Sequence, residues 1–226
     1  MTKYLITGTS SGLGEGIALK LVKEQKKVIG ISTSDKINNE LLESKFYHHL
    51  TLDLSDLKKL ASLDISSIFS EIDKVCLIIN AGKFSFDDST SIKYDTTEQM
   101  FNVNYHSAVM LIKLVKLNLE RVIFINSISG INSQFNQSQY SASKHALQAY
   151  SEVLAKESVA LKFDVMSLNP GGMRTPLWDK VLIEVDQTSF LEVDTVVETV
   201  LFLCALPPNT YIKNLILLPS SDVMYN

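Results

Sequence analysis

The sequence predicts a single-domain α/β protein: a doubly wound parallel sheet of about seven strands with helices on both faces. Short apolar runs alternate with longer amphipathic stretches from one end to the other, the pattern of strands and helices in βαβ units. The 226 residues, 46% hydrophobic and 20% charged, suit one domain large enough to bury most of its apolar surface. No internal repeat, low-complexity segment or Pro/Gly/Ser-rich linker breaks the pattern, so residues 1–226 read as one domain.

The first strand is expected over Lys3 to Thr7, and a glycine-bearing turn leads from it into a helix over Leu13 to Glu24. Strands follow at Lys27 to Ile31, Tyr47 to Leu52 and Lys74 to Ile79. A helix over Thr97 to Lys116, with Asp95 or Thr96 as its cap, precedes a strand at Arg121 to Asn126. The last elements are a helix over Tyr140 to Leu161, a strand at Asp164 to Leu168, a helix over Thr195 to Ala205 and a strand at Asn214 to Leu218. Each strand is a brief run suited to burial on both faces. Each helix sets apolar residues at helical spacing against a charged face, and those stripes are core.

A formal net charge of −4 without a long Lys/Arg cluster offers no footprint for nucleic acid or an anionic membrane, which leaves small molecules and protein subunits as expected partners. Met1 to Ile6 run directly into a strand, where no signal peptide fits, and no apolar stretch approaches the roughly 20 residues of a membrane span. A cytoplasmic protein is expected. Cys76 and Cys204 stand far apart in apolar sequence, without metal-site or redox-pair spacing, and read as inert core residues; no metal site is expected.

The turn Thr7-Gly8-Thr9-Ser10-Ser11-Gly12-Leu13-Gly14 carries the first chemical signal. Glycines at a strand-to-helix junction permit a tight turn and let backbone N–H groups approach a pyrophosphate, whose charge the helix N-terminus stabilises. Asp53-Leu54 follows the third strand and Asn80-Ala81-Gly82 the fourth. All lie at C-terminal strand ends, where open α/β sheets place ligands. Tyr140 has a lysine, Lys144, four residues on; the pair opens a helix, and Ser127 ends the preceding strand thirteen residues upstream.

Taken together these residues resemble the short-chain dehydrogenase/reductase family, in its compact, single-domain, Rossmann-like form. The spacing of Gly8, Gly12 and Gly14 matches T-G-x-x-x-G-x-G, and the order Ser127, Tyr140, Lys144 matches the family's catalytic set. Asn104 matches its structural and catalytic Asn, and Pro170-Gly171-Gly172-Met173-Arg174-Thr175 matches P-G-x-V-x-T. The resemblance runs from residue 3 to about 175. It implies an NAD(P)-dependent oxidoreductase acting on a carbonyl or alcohol, with Asn104, Ser127, Tyr140 and Lys144 as catalytic residues. The implied cofactor contacts are Gly8, Ser10, Ser11, Gly12, Leu13, Gly14, Ser32, Thr33, Asp53, Leu54, Asn80, Ala81, Gly82, Tyr140, Lys144, Pro170, Gly171, Met173 and Thr175.

The chemistry accounts for the residue types. Reducing a ketone needs a proton on the developing alkoxide, and a Tyr hydroxyl suits that task when its pKa falls from ~10 toward neutrality. An ammonium about 4 Å away is worth roughly 4 kcal/mol at an effective dielectric of ~20, so Lys144 is expected to bring Tyr140 near neutrality. Ser127 would hydrogen-bond the substrate oxygen. By resemblance, Asn104 anchors a water that links Lys144 to solvent. At the end of the second strand Ser32 is neutral where NAD enzymes commonly carry an acidic residue, and Ser32, Thr33 and Ser34 offer hydroxyls, so NADP(H) is favoured over NAD(H).

Departures from the family pattern are Ser107, where Gly is frequent, and the tail Leu217-Leu218-Pro219-Ser220-Ser221-Asp222 in place of V-D-G-G. His48, His49, His106 and His145 match no catalytic role and read as surface or helix residues. The loop Ser129 to Gln139 is polar, with Asn132, Gln134, Asn136 and Gln137, whereas the segment Leu177 to Phe190 offers Trp178, Val181, Leu182 and Phe190; a medium-sized polar carbonyl compound or sugar-derived ketone fits better than a long acyl chain. The resemblance implies a homodimer or homotetramer built on the helices Thr97 to Lys116 and Tyr140 to Leu161. A nucleotide-sugar epimerase or dehydratase, or a cofactor-binding regulator, are the other functions compatible with the motifs.

Overall fold

A computed structural model describes residues 2–64, 68–70, 73–86, 88–177, 187–208 and 210–221. Seven strands form one parallel sheet: β1 (Thr2–Thr7), β2 (Lys27–Ser32), β3 (Tyr47–Thr51), β4 (Lys74–Ile79), β5 (Leu119–Ile125), β6 (Asp164–Pro170) and β7 (Leu215–Leu217). Their order is β3-β2-β1-β4-β5-β6-β7, so the chain winds outward from β1 in one direction and then restarts at β4 in the other. The reversal opens a crevice at the C-terminal ends of β1 and β4, where such sheets bind ligands.

The central strand interiors are mainly Val, Ile and Leu because helices cover both faces of the sheet. On one face α1 (Gly12–Lys23), α2 (Asn39–Leu42) and α7 (Val193–Ala205) pack on Ile6, Val28, Ile78, Ile123 and Met166. On the other, α3 (Leu57–Ala61), α5 (Ser107–Val115) and α6 (Ser138–Leu161) pack on Leu5, Ile29, Leu77, Val122 and Val165. Helices α1 and α7 approach closely at Gly16, where an added Cβ would lie 2.9 Å from a Val197 methyl. Among the described residues, no helix is long and apolar enough to cross a membrane.

Three features depart from the sequence expectation. The predicted helix Thr97 to Lys116 is α4 (Tyr94–Phe101) continued by a π-helical turn over Asn102–His106 and then by α5. Neither Asp95 nor Thr96 caps it: Lys93 holds the cap position without a side-chain bond, and Asp95 lies in the first turn, where its charge favours the helix dipole. Two short helices were not foreseen, although each has its own cap: Asn38 accepts from Glu40 N at 2.9 Å and Asp56 from Lys59 N at 3.0 Å. Finally, the two cysteines are neighbours in space; Cys76 in β4 touches Cys204 near the end of α7.

Candidate active site

The crevice between β1 and β4 is held shut at its base by side-chain to main-chain bonds. Thr7 Oγ1 accepts from Asn80 N and Ala81 N, both at 2.9 Å, and Asn80 Nδ2 donates to Thr7 O at 2.8 Å. Gly8 (φ +79°) and Gly12 (φ +59°) occupy the left-handed region that favours glycine. Gly14 has no room for a side chain: a Cβ there would lie 2.2 Å from Gly8 O. The turn therefore folds flat against the start of α1. Ser11, at the cap position of α1, makes no side-chain cap bond, so the first-turn N–H groups are left for an outside acceptor.

This cradle fits a dinucleotide pyrophosphate, which needs close backbone approach and N–H donors at a helix end. The Pro170-Gly171-Gly172-Met173-Arg174-Thr175 segment reaches the same place, since a Cβ on Gly12 would be 3.5 Å from Thr175 Cβ. Pro170 and Gly171 are buried at the end of β6, with Gly171 N donating to Leu217 O at 2.8 Å, and Met173 pairs with Leu191. Leu13 and Leu54 lie in the core, each 4% exposed, so only their main chains can face a ligand. Asp53 is exposed at the end of β3, where its carboxylate accepts from Ser55 N and Ser55 Oγ, both at 2.8 Å.

At the end of β2 the hydroxyls expected to be free are partly engaged. Ser32 Oγ donates to Ser34 O at 2.9 Å, Ser34 Oγ accepts from Lys36 N at 3.0 Å, and Thr33 is exposed. A chain of contacts behind them was not legible from sequence: Thr9 Oγ1 lies 2.9 Å from the Tyr47 hydroxyl, which is 3.1 Å from His49 Nδ1, and His49 Nε2 is 3.0 Å from Ser34 O. Tyr47 lies so close to β2 that a Cβ on Gly30 would meet its hydroxyl at 2.1 Å. His49 is thus a half-buried member of this network, whereas His48, His106 and His145 are exposed.

The four expected catalytic residues converge beside the crevice. Ser127 lies two residues past the end of β5; its Oγ accepts from Ser129 N at 3.1 Å and hydrogen-bonds the Tyr140 hydroxyl. One turn after Tyr140, Lys144 lies 5.8 Å from the centre of the Tyr140 ring, and its Nζ donates to Ile125 O at 3.2 Å. Asn104 sits inside the π-helical turn, a device that recurs at functional sites. Its Oδ1 accepts from Lys83 N at 2.7 Å, while its Nδ2 donates to Lys83 O and Ser143 Oγ, both at 2.9 Å. Gly82 marks the meeting point, because a Cβ there would be 3.7 Å from Asn104 Oδ1 and 3.9 Å from Lys144 Nζ.

Burial governs the site's electrostatics. It pushes the Tyr140 hydroxyl above its ordinary value, with the Ser127 hydrogen bond pulling the other way, and it lowers Lys144 to about 8. The expected acidification of Tyr140 by Lys144 is therefore absent from this geometry. The lysine points at the β5 carbonyl, and both groups have lost their water. Phe84 sets its ring edge-on to Tyr140 with 4.8 Å between centres, an orienting contact that no motif announced. Gln148 was also missed: its Oε1 accepts from Asn126 Nδ2 at 2.9 Å and Ser167 Oγ at 3.0 Å, fixing α6 against β5 and β6.

Phe190 covers Gly172, where a Cβ would lie 2.8 Å from the ring, so it packs on the main chain. Trp178, Val181, Leu182 and Asp222 lie outside the described residues. Ser107 is buried and donates to Val103 O at 2.7 Å, so the helix accommodates it in place of Gly.

The family model "short chain dehydrogenase" matches residues 2–186. A Drosophila melanogaster protein, dehydrogenase/reductase SDR family protein 7-like, is 31% identical over 76% of this chain but over only 57% of its own length. The NADP-dependent 3-hydroxy acid dehydrogenase of Schizosaccharomyces pombe is 31% identical over 76% of this chain and 71% of its own. Among solved structures, a 4-hydroxyisoleucine dehydrogenase mutant complexed with NADH and succinate superposes with a TM-score of 0.85 at 19% identity, covering 99% of this chain and all of that one. The last is a likeness of fold.

Proposed function

The chain belongs to the short-chain dehydrogenase family, and from that premise we propose that it is an NAD(P)(H)-dependent oxidoreductase interconverting a carbonyl compound and its alcohol. The observation that carries the proposal is the gathering of Ser127, Tyr140, Lys144 and Asn104 beside a dinucleotide cradle at the β1/β4 crevice. Separate evolution of a mere cofactor fold has no need to bring these four together.

In this reading Gly8, Ser10, Ser11, Gly12 and Gly14 hold the pyrophosphate, the main chains of Leu13, Leu54, Ala81 and Gly82 line its path, and Asp53 and Asn80 border it. Pro170, Gly171, Met173 and Thr175 close over the nicotinamide end. The bound nicotinamide supplies or accepts the hydride. Ser127 hydrogen-bonds the substrate oxygen and stabilises its developing charge. The Tyr140 hydroxyl gives that oxygen its proton, and in the reverse direction removes it. Lys144 holds the ribose hydroxyls and returns a proton toward Tyr140. Asn104 spends both Nδ2 hydrogens on clamping Lys83 and Ser143, so a proton-relay water would use its Oδ1 lone pair or main-chain carbonyl.

NADP(H) is favoured over NAD(H), because neutral Ser32 and exposed Thr33 put no carboxylate at the 2′ position. The name of the yeast relative is in keeping with this. The chain is assigned to the cytoplasm and to a homodimer or homotetramer. Exposed Val153, Val159 and Leu161 on α6 support the assembly. Carbonyl compounds of varied size are to be screened with NADPH and NADH by the loss of nicotinamide absorbance. Turnover with NADPH exceeding that with NADH is expected, and binding of NADH tighter than NADPH would reverse the cofactor assignment.

A further inference from the structure

The end of the sheet away from the crevice holds a second reactive arrangement. Cys76 stands near the start of β4, between its register neighbours Tyr4 in β1 and Arg121 in β5. Arg121 is buried, and it ties the end of α7 to this place. Its Nη1 donates to Leu203 O at 2.9 Å and Cys204 O at 2.7 Å, and its Nη2 donates to Leu206 O and Asp164 Oδ2, both at 2.8 Å. The guanidinium beside Cys76 thereby fixes the main chain of Cys204, and the two thiols meet. Both cysteines are free, both pack in one apolar cluster, and both wall a cavity of about 1210 Å³. Cys76 is 3% exposed, whereas Cys204 is only partly covered.

We propose that Cys76 and Cys204 form a redox-active dithiol that a hydroperoxide, entering by this cavity, closes to a disulfide. Cys204 reacts first because it is the accessible sulfur. Its thiolate attacks one peroxide oxygen, the O–O bond breaks, and the products are a Cys204 sulfenic acid and water or an alcohol. The Cys76 sulfur then attacks the Cys204 sulfur, the S–O bond breaks, and the hydroxyl leaves as water with the Cys76 thiol proton. Two thiols are oxidised and one hydroperoxide is reduced. Contact with the Cys204 thiol and burial hold Cys76 protonated well above the usual thiol range, so its proton is released only in the step in which its sulfur attacks, to the departing hydroxyl.

The test treats the folded protein with hydrogen peroxide, then counts thiols in denaturant and measures intact mass. The expected result is loss of both titratable thiols, a mass lower by two hydrogen atoms, a peptide pair joining Cys76 to Cys204, and full reversal by dithiothreitol. The Cys204→Ser variant, treated alike, keeps its single thiol. Wild-type protein in which Cys204 gains oxygen while Cys76 stays a free thiol overturns the proposal. So does a covalent dimer joined through Cys204.

Discussion

At the residue scale, the buried lysine is the site's least comfortable group, and that discomfort can be measured. Lys144 holds its proton less tightly in the folded protein, at about 8, than in the unfolded chain, at 10.5. Between those values the unfolded chain binds the extra proton, so this group makes stability rise with pH across the window and costs stability below it. Urea unfolding should show Lys144→Met more stable than wild type at pH 7, by on the order of 3 kcal/mol at most, with the difference shrinking toward pH 10. A Lys144→Met protein less stable at both pH values would contradict the electrostatic account. Function should follow the opposite direction: in the proposed role the ammonium serves both steps, so the variant should lose turnover and cofactor affinity together. Ser127→Ala should slow the chemical step by about 10² to 10³, the loss typical of removing one donor to a developing oxyanion, with cofactor affinity retained. Fluorescence titration with NADPH alongside steady-state rates separates the two patterns.

At the element scale, the crevice depends on the glycine turn lying flat, and Gly14 is its tightest point. An alanine there would press on Gly8 O at 2.2 Å and Asn80 Nδ2 at 2.5 Å, prying α1 from the end of β1. Gly14→Ala should destabilise the fold by about 1 to 3 kcal/mol and abolish saturable NADPH binding, as read by urea unfolding and titration. Unchanged binding would mean that the cradle is not the cofactor's seat. These elements were largely legible in the sequence, because most of the buried parallel strands are short, mainly apolar runs and glycine spacing encodes the turn. Helices α2 and α3 were not, since four or five residues cannot display helical periodicity. The π-helical turn escaped for a related reason: one extra residue per turn hardly disturbs the apolar pattern from Thr97 to Lys116, yet it sets Asn104 facing Lys83 and Ser143. Phe84, Gln148, Tyr47 and His49 were missed because each has a partner distant in sequence, Tyr140, Asn126, Thr9 and Ser34 respectively, and only the fold brings them together.

At the scale of the whole molecule, the sheet order separates two chemistries. The crevice proposed to hold the cofactor, with Ser127 and Asn80 at its strand ends, occupies the C-terminal side of the sheet, while Arg121 and the cysteine pair occupy the opposite end. If the exposed Val153, Val159 and Leu161 of α6 belong to the proposed assembly, light scattering at micromolar concentration should return a dimer or tetramer mass; a monomer mass would remove the assembly assignment. The central claim is that Tyr140 serves as the proton donor to a substrate that receives hydride in the crevice. It is tested most directly by single-turnover transfer from NADPH bearing deuterium at the transferable position, comparing wild type with Tyr140→Phe on a carbonyl compound found by the screen. The expected result is deuterium on the alcohol carbon with wild type and transfer at background level with Tyr140→Phe, both proteins binding NADPH with nearly equal affinity. Full deuterium transfer by Tyr140→Phe would contradict the claim and leave the crevice as a cofactor site serving other chemistry.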